Sequence, residues 1–252
     1  MRYVGRCTEI AIAGATLSDI TSRIRLDDIS CWEIRMSWKE IPGWSGFLDI
    51  YDLAVDEAPQ EGAVFVELGV AFGRSLAYLA RRVIDSGKHI KIYGVDPWWD
   101  DWWMMPDQYP ADLGGRSSWG GEYSQWARDM GGPFSAFIKC MTLHAPEELE
   151  RVNVLRCTSA DAARFIGPCD LVMIDANHNY ECVAQDIALW KPHIKVGKIL
   201  AGDDYSERDF PGTVKAVKEA FSQVTVNGTT WTVRLGQPLQ SCGQRVPEGF
   251  DK

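Results

Sequence analysis

The stretch Ala63–Ser75, AVFVELGVAFGRS, constrains this chain more than any other. Ala63–Val66 is a short apolar run that suits a strand buried on both faces of a parallel sheet. Glu67 ends the run, and Gly69 and Gly73 then frame a turn too short for bulky side chains. Glycine at such positions lets the backbone bend sharply and lets a ligand approach the main chain closely. From Ser75 onward Leu76, Leu79, Ala80, Val83 and Ile84 recur at helical spacing. Strand, glycine turn and helix form the unit at which doubly wound α/β folds bind nucleotide-like ligands, at the carboxyl ends of their strands. The turn itself, Gly69-Val70-Ala71-Phe72-Gly73, fails the dinucleotide pattern G-x-G-x-x-G.

The rest of the chain repeats the alternation. Leu48–Val55 reads as a helix, and Ile90–Val95 as a second strand ending at Asp96. Val152–Arg156, Asp170–Asp175 and Lys198–Ala201 follow as strands, separated by helical patterns such as Val183, Ile187 and Trp190. Two β-rich runs joined by Asn227-Gly228 then read as a hairpin. The expected fold is therefore α/β, a Rossmann-like doubly wound sheet of seven strands, mostly parallel with the last antiparallel, and helices on both faces. Residues 1–60 are taken as an N-terminal extension, 61–236 as the domain and 237–252 as an irregular tail. Residues 98–145, too long for a plain connection, read as a cap-like insertion. They hold many of the eleven tryptophans, which suit either a packed excursion or the wall of a pocket.

Composition narrows the partners. At 46% hydrophobic content, 252 residues can bury one sizeable core, and a formal charge of −9 argues against a nucleic-acid partner. No apolar run approaches the length of a membrane span. Seven cysteines without a C-x-x-C pair look like reduced thiols of a cytoplasmic protein. A homo-oligomer is an open expectation.

The chemistry-bearing residues sit at the predicted strand ends. Asp96, one βαβ unit past Gly69, is placed to accept the hydroxyls of a ribose, the alternative being a turn or cap aspartate. Asp175, His178, Asp203 and Asp204 follow two strands expected to be neighbours, so they should converge on one crevice. Three carboxylates that close repel one another unless a cation sits among them, and oxygen ligands suit Mg²⁺ or a similar hard ion. Taken singly, each acid could instead cap a helix or solvate a loop, and His178 could be a loop histidine.

ELGVAFGRS, YGVDPWW, the Ser159 segment and DLVMIDANHNYECVAQDIALWKPHIKVGKILAGDDY together resemble class I S-adenosylmethionine (SAM)-dependent methyltransferases. The likeness is to the metal-dependent small-molecule and sugar O-methyltransferase branch, which includes macrolide-sugar O-methyltransferases and cephalosporin-hydroxylase-like proteins. It implies cofactor contacts from Glu67, Gly69, Gly73, Ser75, Asp96, Ser159 and Asp175, with Asp96 on ribose and Ser159 near adenine. It implies Mg²⁺ on Asp175, Asp203 and Asp204, and His178 as general base. The expected activity is methyl transfer from SAM to a hydroxyl of a small molecule. The alternatives are a metal-independent methyltransferase, or a SAM- or sugar-binding protein without turnover.

Overall fold

A computed structural model describes residues 37–99 and 126–236. The expected extension up to residue 36, the stretch 100–125 and the tail from 237 lie outside the described residues. Seven strands form one sheet: β1 (Glu61–Leu68), β2 (His89–Val95), β3 (Val152–Leu155), β4 (Cys169–Ile174), β5 (Ile194–Gly202), β6 (Thr225–Asn227) and β7 (Thr230–Arg234). Their order is β3-β2-β1-β4-β5-β7-β6. β1 through β5 are parallel, and β7 lies antiparallel to both β5 and β6. The seven-stranded, mostly parallel sheet expected from the sequence is the one observed. The hairpin turn falls one residue later than expected, at Gly228-Thr229 with Gly228 at φ +61°.

The alternation of strand side chains explains why helices cover both faces. Phe65, Leu171 and Met173 point to one side, against α1 (Leu48–Glu57), α2 (Arg74–Ser86) and α3 (Pro133–His144). Val66, Leu68, Val172 and Ile174 point to the other, against α6 (Tyr180–Trp190) and α7 (Pro211–Ala220). Two short helices, α4 (Pro146–Leu149) and α5 (Ser159–Ala162), complete the chain's helical elements used below.

Two packing results differ from the domain outline drawn from sequence. Residues 37–60 are built into the domain: Ile50, Tyr51, Ala54 and Val55 of α1 are buried in the same core as α2. Within the 98–145 stretch, α3 is likewise a core helix, burying Ala136, Phe137, Cys140 and Met141. Trp98 is wholly buried between Phe134 and Phe137, with ring centroids 5.2 and 4.7 Å away. The apolar stripes of both helices gain more by covering the sheet than by shielding a cleft.

Parallel strands place all their carboxyl ends on one edge. Leu155, Val95, Leu68, Ile174 and Gly202 lie in one registered row across β3, β2, β1, β4 and β5. Asp96, Gly69, Asp175 and Asp203 are the residues immediately after that row. Each continues the ladder: Gly69 N–H bonds Val95 O at 2.9 Å, Asp96 N–H bonds Leu155 O at 3.1 Å, and Asp175 N–H bonds Leu68 O at 2.8 Å.

Candidate active site

A cleft of about 660 Å³ opens along this edge, within the range usual for small-molecule sites. The glycine turn forms its floor. Gly69 has φ +84°, and a Cβ there would lie 2.0 Å from Asp175 O, so only glycine lets β1 and β4 end this close together. Gly73, φ +94°, meets Met141 and Phe137 of α3 and does not line the cleft. It lets α2 pack on α3.

Asp96 is 4% exposed, and three backbone N–H groups point at its carboxylate. Val70 and Ala71 donate to Oδ2 at 3.0 Å each, and Trp98 donates to Oδ1 at 2.7 Å. Burial pushes its pKa up against these bonds. It therefore organises the turn, with acceptor capacity on Oδ1 remaining for a hydroxyl. Trp98 Nε1 also donates to Ala71 O at 2.7 Å, pinning the turn from the other side.

Glu67 does not face the cleft. Like Phe65 it points toward α1 and α2, where Tyr51 Oη donates to Oε2 and Ser75 Oγ to Oε1, both at 2.6 Å. Burial pushes this carboxyl up to about 8, the two hydrogen bonds opposing the shift. Ser75 thus spends its proton on Glu67. Ser159, which does line the cleft, accepts from Trp190 Nε1 at 2.8 Å.

The acidic group gathers at the other side. His178 Nε2 lies 2.7 Å from Asp204 Oδ2 and 3.9 Å from Asp175 Oδ1. The 3.9 Å contact is too long for a hydrogen bond and the 2.7 Å one is not aligned with the ring N–H; Nδ1, also buried, has no hydrogen-bond partner among the described residues. Phe210 packs on the ring, centroids 4.7 Å apart. Asp204 holds its place at φ +59°, a strained conformation that aspartate tolerates better than most residues. Asp203 turns elsewhere: its Oδ1 accepts from Thr229 Oγ1 at 2.7 Å, across from the hairpin turn.

The electrostatics follow from crowding. Burial first, then the charges of Asp204 and Asp203, push Asp175 up to about 7. Burial would lower His178, but the adjoining Asp175 and Asp204 override it and lift it to about 10. Among the described residues one group could hold a cation, Asp175, His178 and Asp204, whose ligand atoms lie within 4.8 Å of one another. Two mutually repelling carboxylates with an imidazole this close are a donor set that a divalent ion would satisfy once the ring is neutral, so these residues fit one. The group differs from the expected trio by holding His178 in place of Asp203.

Sequence reasoning did not pick out Thr229, which fastens Asp203, or the Pro42–Gly46 segment. The latter lines the cleft, running from Arg74, whose Nη1 reaches Ile41 O and Gly43 O, to Gly46 beside Asp203 Oδ2. The Pro-Gly turn was visible; its position over the cleft depends on where α1 docks.

Glycine turn, the buried aspartate that organises it and acidic crevice on one edge of a seven-stranded 3-2-1-4-5-7-6 sheet define a class I, SAM-dependent methyltransferase. The methyltransferase domain family matches residues 66–205, and the chain belongs to it. No curated protein sequence matches the chain. Solved structures that resemble it include CalS11, a TDP-rhamnose 3'-O-methyltransferase of calicheamicin biosynthesis. It is 16% identical with a TM-score of 0.46, over 75% of this chain and 77% of that one. The O-methyltransferase NovP is 17% identical, TM-score 0.47, over 80% and 87%. A precorrin-6y C5,15-methyltransferase from Geobacter metallireducens is 8% identical, TM-score 0.45, over 81% and 82%. Likeness at this level says nothing of an acceptor. No helix among the described residues is long and apolar enough to cross a membrane.

Proposed function

We propose that the protein transfers a methyl group from SAM to a hydroxyl of a small molecule, assisted by a divalent cation. The observation that carries this reading is the cluster of Asp175, His178 and Asp204, whose ligand atoms lie within 4.8 Å of one another, one strand away from the glycine turn. Gly69 and Asp96 would receive the adenosine end of the cofactor, the remaining acceptor site of Asp96 taking a ribose hydroxyl. A cation held by Asp175 and Asp204 would, when bound, make a nearby hydroxyl more acidic. His178 would take the proton from that hydroxyl. Asp203, held by Thr229, would keep the crevice acidic and help orient the acceptor.

A second reading, favoured by the close approach of Nε2 to Asp204, makes His178 a ligand of the cation. The ion would then be softer than Mg²⁺, since imidazole suits transition metals and zinc. The test of the shared reading is turnover of SAM with a panel of hydroxylated small molecules, with and without excess EDTA. Loss of turnover on chelation with SAM still bound is the expected result, reversed by adding back the metal. Full turnover in EDTA removes the cation from the proposal.

A further inference from the structure

The cleft is one-sided in charge. Asp96, Asp175, Asp203, Asp204 and Asp209 line it, and among the described residues Arg74 is the one lysine or arginine that does. Arg74 opens α2, directly after Gly73. Its guanidinium has no carboxylate partner among the described residues. Nη1 makes long contacts to the carbonyls of Ile41 and Gly43, at 3.3 and 3.4 Å, the guanidinium lies 5.9 Å from the centre of the Trp38 ring, and the buried Nε has no hydrogen-bond partner.

A methyl donor of the SAM type carries a sulfonium, an ammonium and a single anionic group, the carboxylate of its methionyl tail. In a cleft lined by five aspartates, that carboxylate finds a permanent positive charge at Arg74, whereas the one other cationic group there, His178, is already engaged by Asp175 and Asp204. Ser75, the next residue, already donates its Oγ–H to Glu67. Gly73 supplies no side chain to cap the first turn of α2, so the N–H groups there add to the positive end of the helix.

Building on the cofactor reading above, we propose that Arg74 anchors the methionyl carboxylate of the donor. Arg74 then sets the donor's direction: tail at the start of α2, sulfonium toward the crevice in which the acceptor is proposed to sit. Arg74 is also the link between donor and the Pro42–Gly46 segment, through the carbonyls it touches. The carboxylate would supply the charged partner that the guanidinium lacks.

Calorimetry with S-adenosylhomocysteine and its decarboxylated analogue tests this directly, because the two differ only in the anion. The wild-type protein should prefer the carboxylated ligand by at least about tenfold, as expected for a charge-assisted contact. Arg74→Gln should lose that preference by weakening only the carboxylated ligand, and Arg74→Lys should keep part of it. Discrimination that survives in Arg74→Gln overturns the inference. So does an equal loss for both ligands, which would place Arg74's role in holding the Ile41–Gly43 carbonyls. Unchanged affinity for both would assign Arg74 to an anion on the acceptor, again overturning it. A wild-type protein that binds neither ligand refutes the cofactor reading itself, and that outcome is distinct from the other three.

Discussion

Replacing Gly69 with alanine should be the most damaging small change in the glycine turn. The new Cβ would lie 2.0 Å from Asp175 O, 2.6 Å from its carbonyl carbon and 2.7 Å from Ala176 Cα. All three are backbone atoms, so no side-chain rotation relieves the clash. β1 and β4 would have to part by roughly an ångström or more, at the point where Asp175 N–H bonds Leu68 O. Left-handed alanine costs about 1–3 kcal/mol and overpacking about 1–3 kcal/mol more. With the strained hydrogen bond added, the total is about 3–7 kcal/mol, a large share of the ~5–15 kcal/mol that holds a domain folded. Gly73→Ala meets only the flexible ends of Met141 and Phe137 and should cost about 2–4 kcal/mol. Gly228→Ala meets nothing within 4 Å and should cost only the strain of φ +61°, about 1 kcal/mol. Urea unfolding of the three variants gives the ranking. If Gly69→Ala loses no more stability than Gly228→Ala, the close β1–β4 junction is not what demands glycine.

Other outcomes follow from the same geometry. Glu67 sits at about 8 when folded against an ordinary 4.5, so the folded state holds its proton more tightly. Its contribution to stability is present below pH 4.5 and is lost as the pH rises to 8. Glu67→Gln should flatten that part of the stability–pH profile; a slope that persists in full assigns the titration elsewhere. Thr229→Val removes the 2.7 Å bond to Asp203 and should lower turnover several-fold at unchanged SAM affinity. Equal losses in both would show the hairpin to be a general support. His178→Ala should cut kcat by about 10²–10⁴ if His178 is the base. Metal affinity measured on the same variant separates the readings, being kept for a base and lost for a ligand.

The fold was legible because parallel strands are written as short apolar runs, and here several end in an acid. Uniform runs also made the row of strand ends legible, placing Gly69, Asp96, Asp175 and Asp203 together. Side-chain direction was less so. The apolar run in the sequence ends at Glu67, whereas β1 runs to Leu68; counting alternate residues from Phe65 already puts Glu67 on the α1 and α2 side of the sheet. The α1 helix was expected at nearly its true bounds, yet nothing local says that Ile50, Tyr51, Ala54 and Val55 dock against α2. The same holds for α3, whose stripe of Ala136, Phe137, Cys140 and Met141 covers the sheet. Thr229 reaches Asp203 only because β7 inserts beside β5, a pairing that no motif announces.

The state of His178 ties the proposed chemistry together. Left to its neighbours, the imidazole is held as a cation near pH 7, because Asp175 and Asp204 lift it to about 10 against the pull of burial. An imidazolium can neither accept a proton nor bind a metal. Both roles open to His178 therefore require positive charge to arrive among the carboxylates and displace the one the ring carries. Asp175, pushed up to about 7, releases its share of protons under the same influence. The acidic crevice thus stores protons when alone, and a divalent ion would exchange charge for them. A bound cation would then do more than polarise the acceptor, since its arrival would also leave His178 neutral.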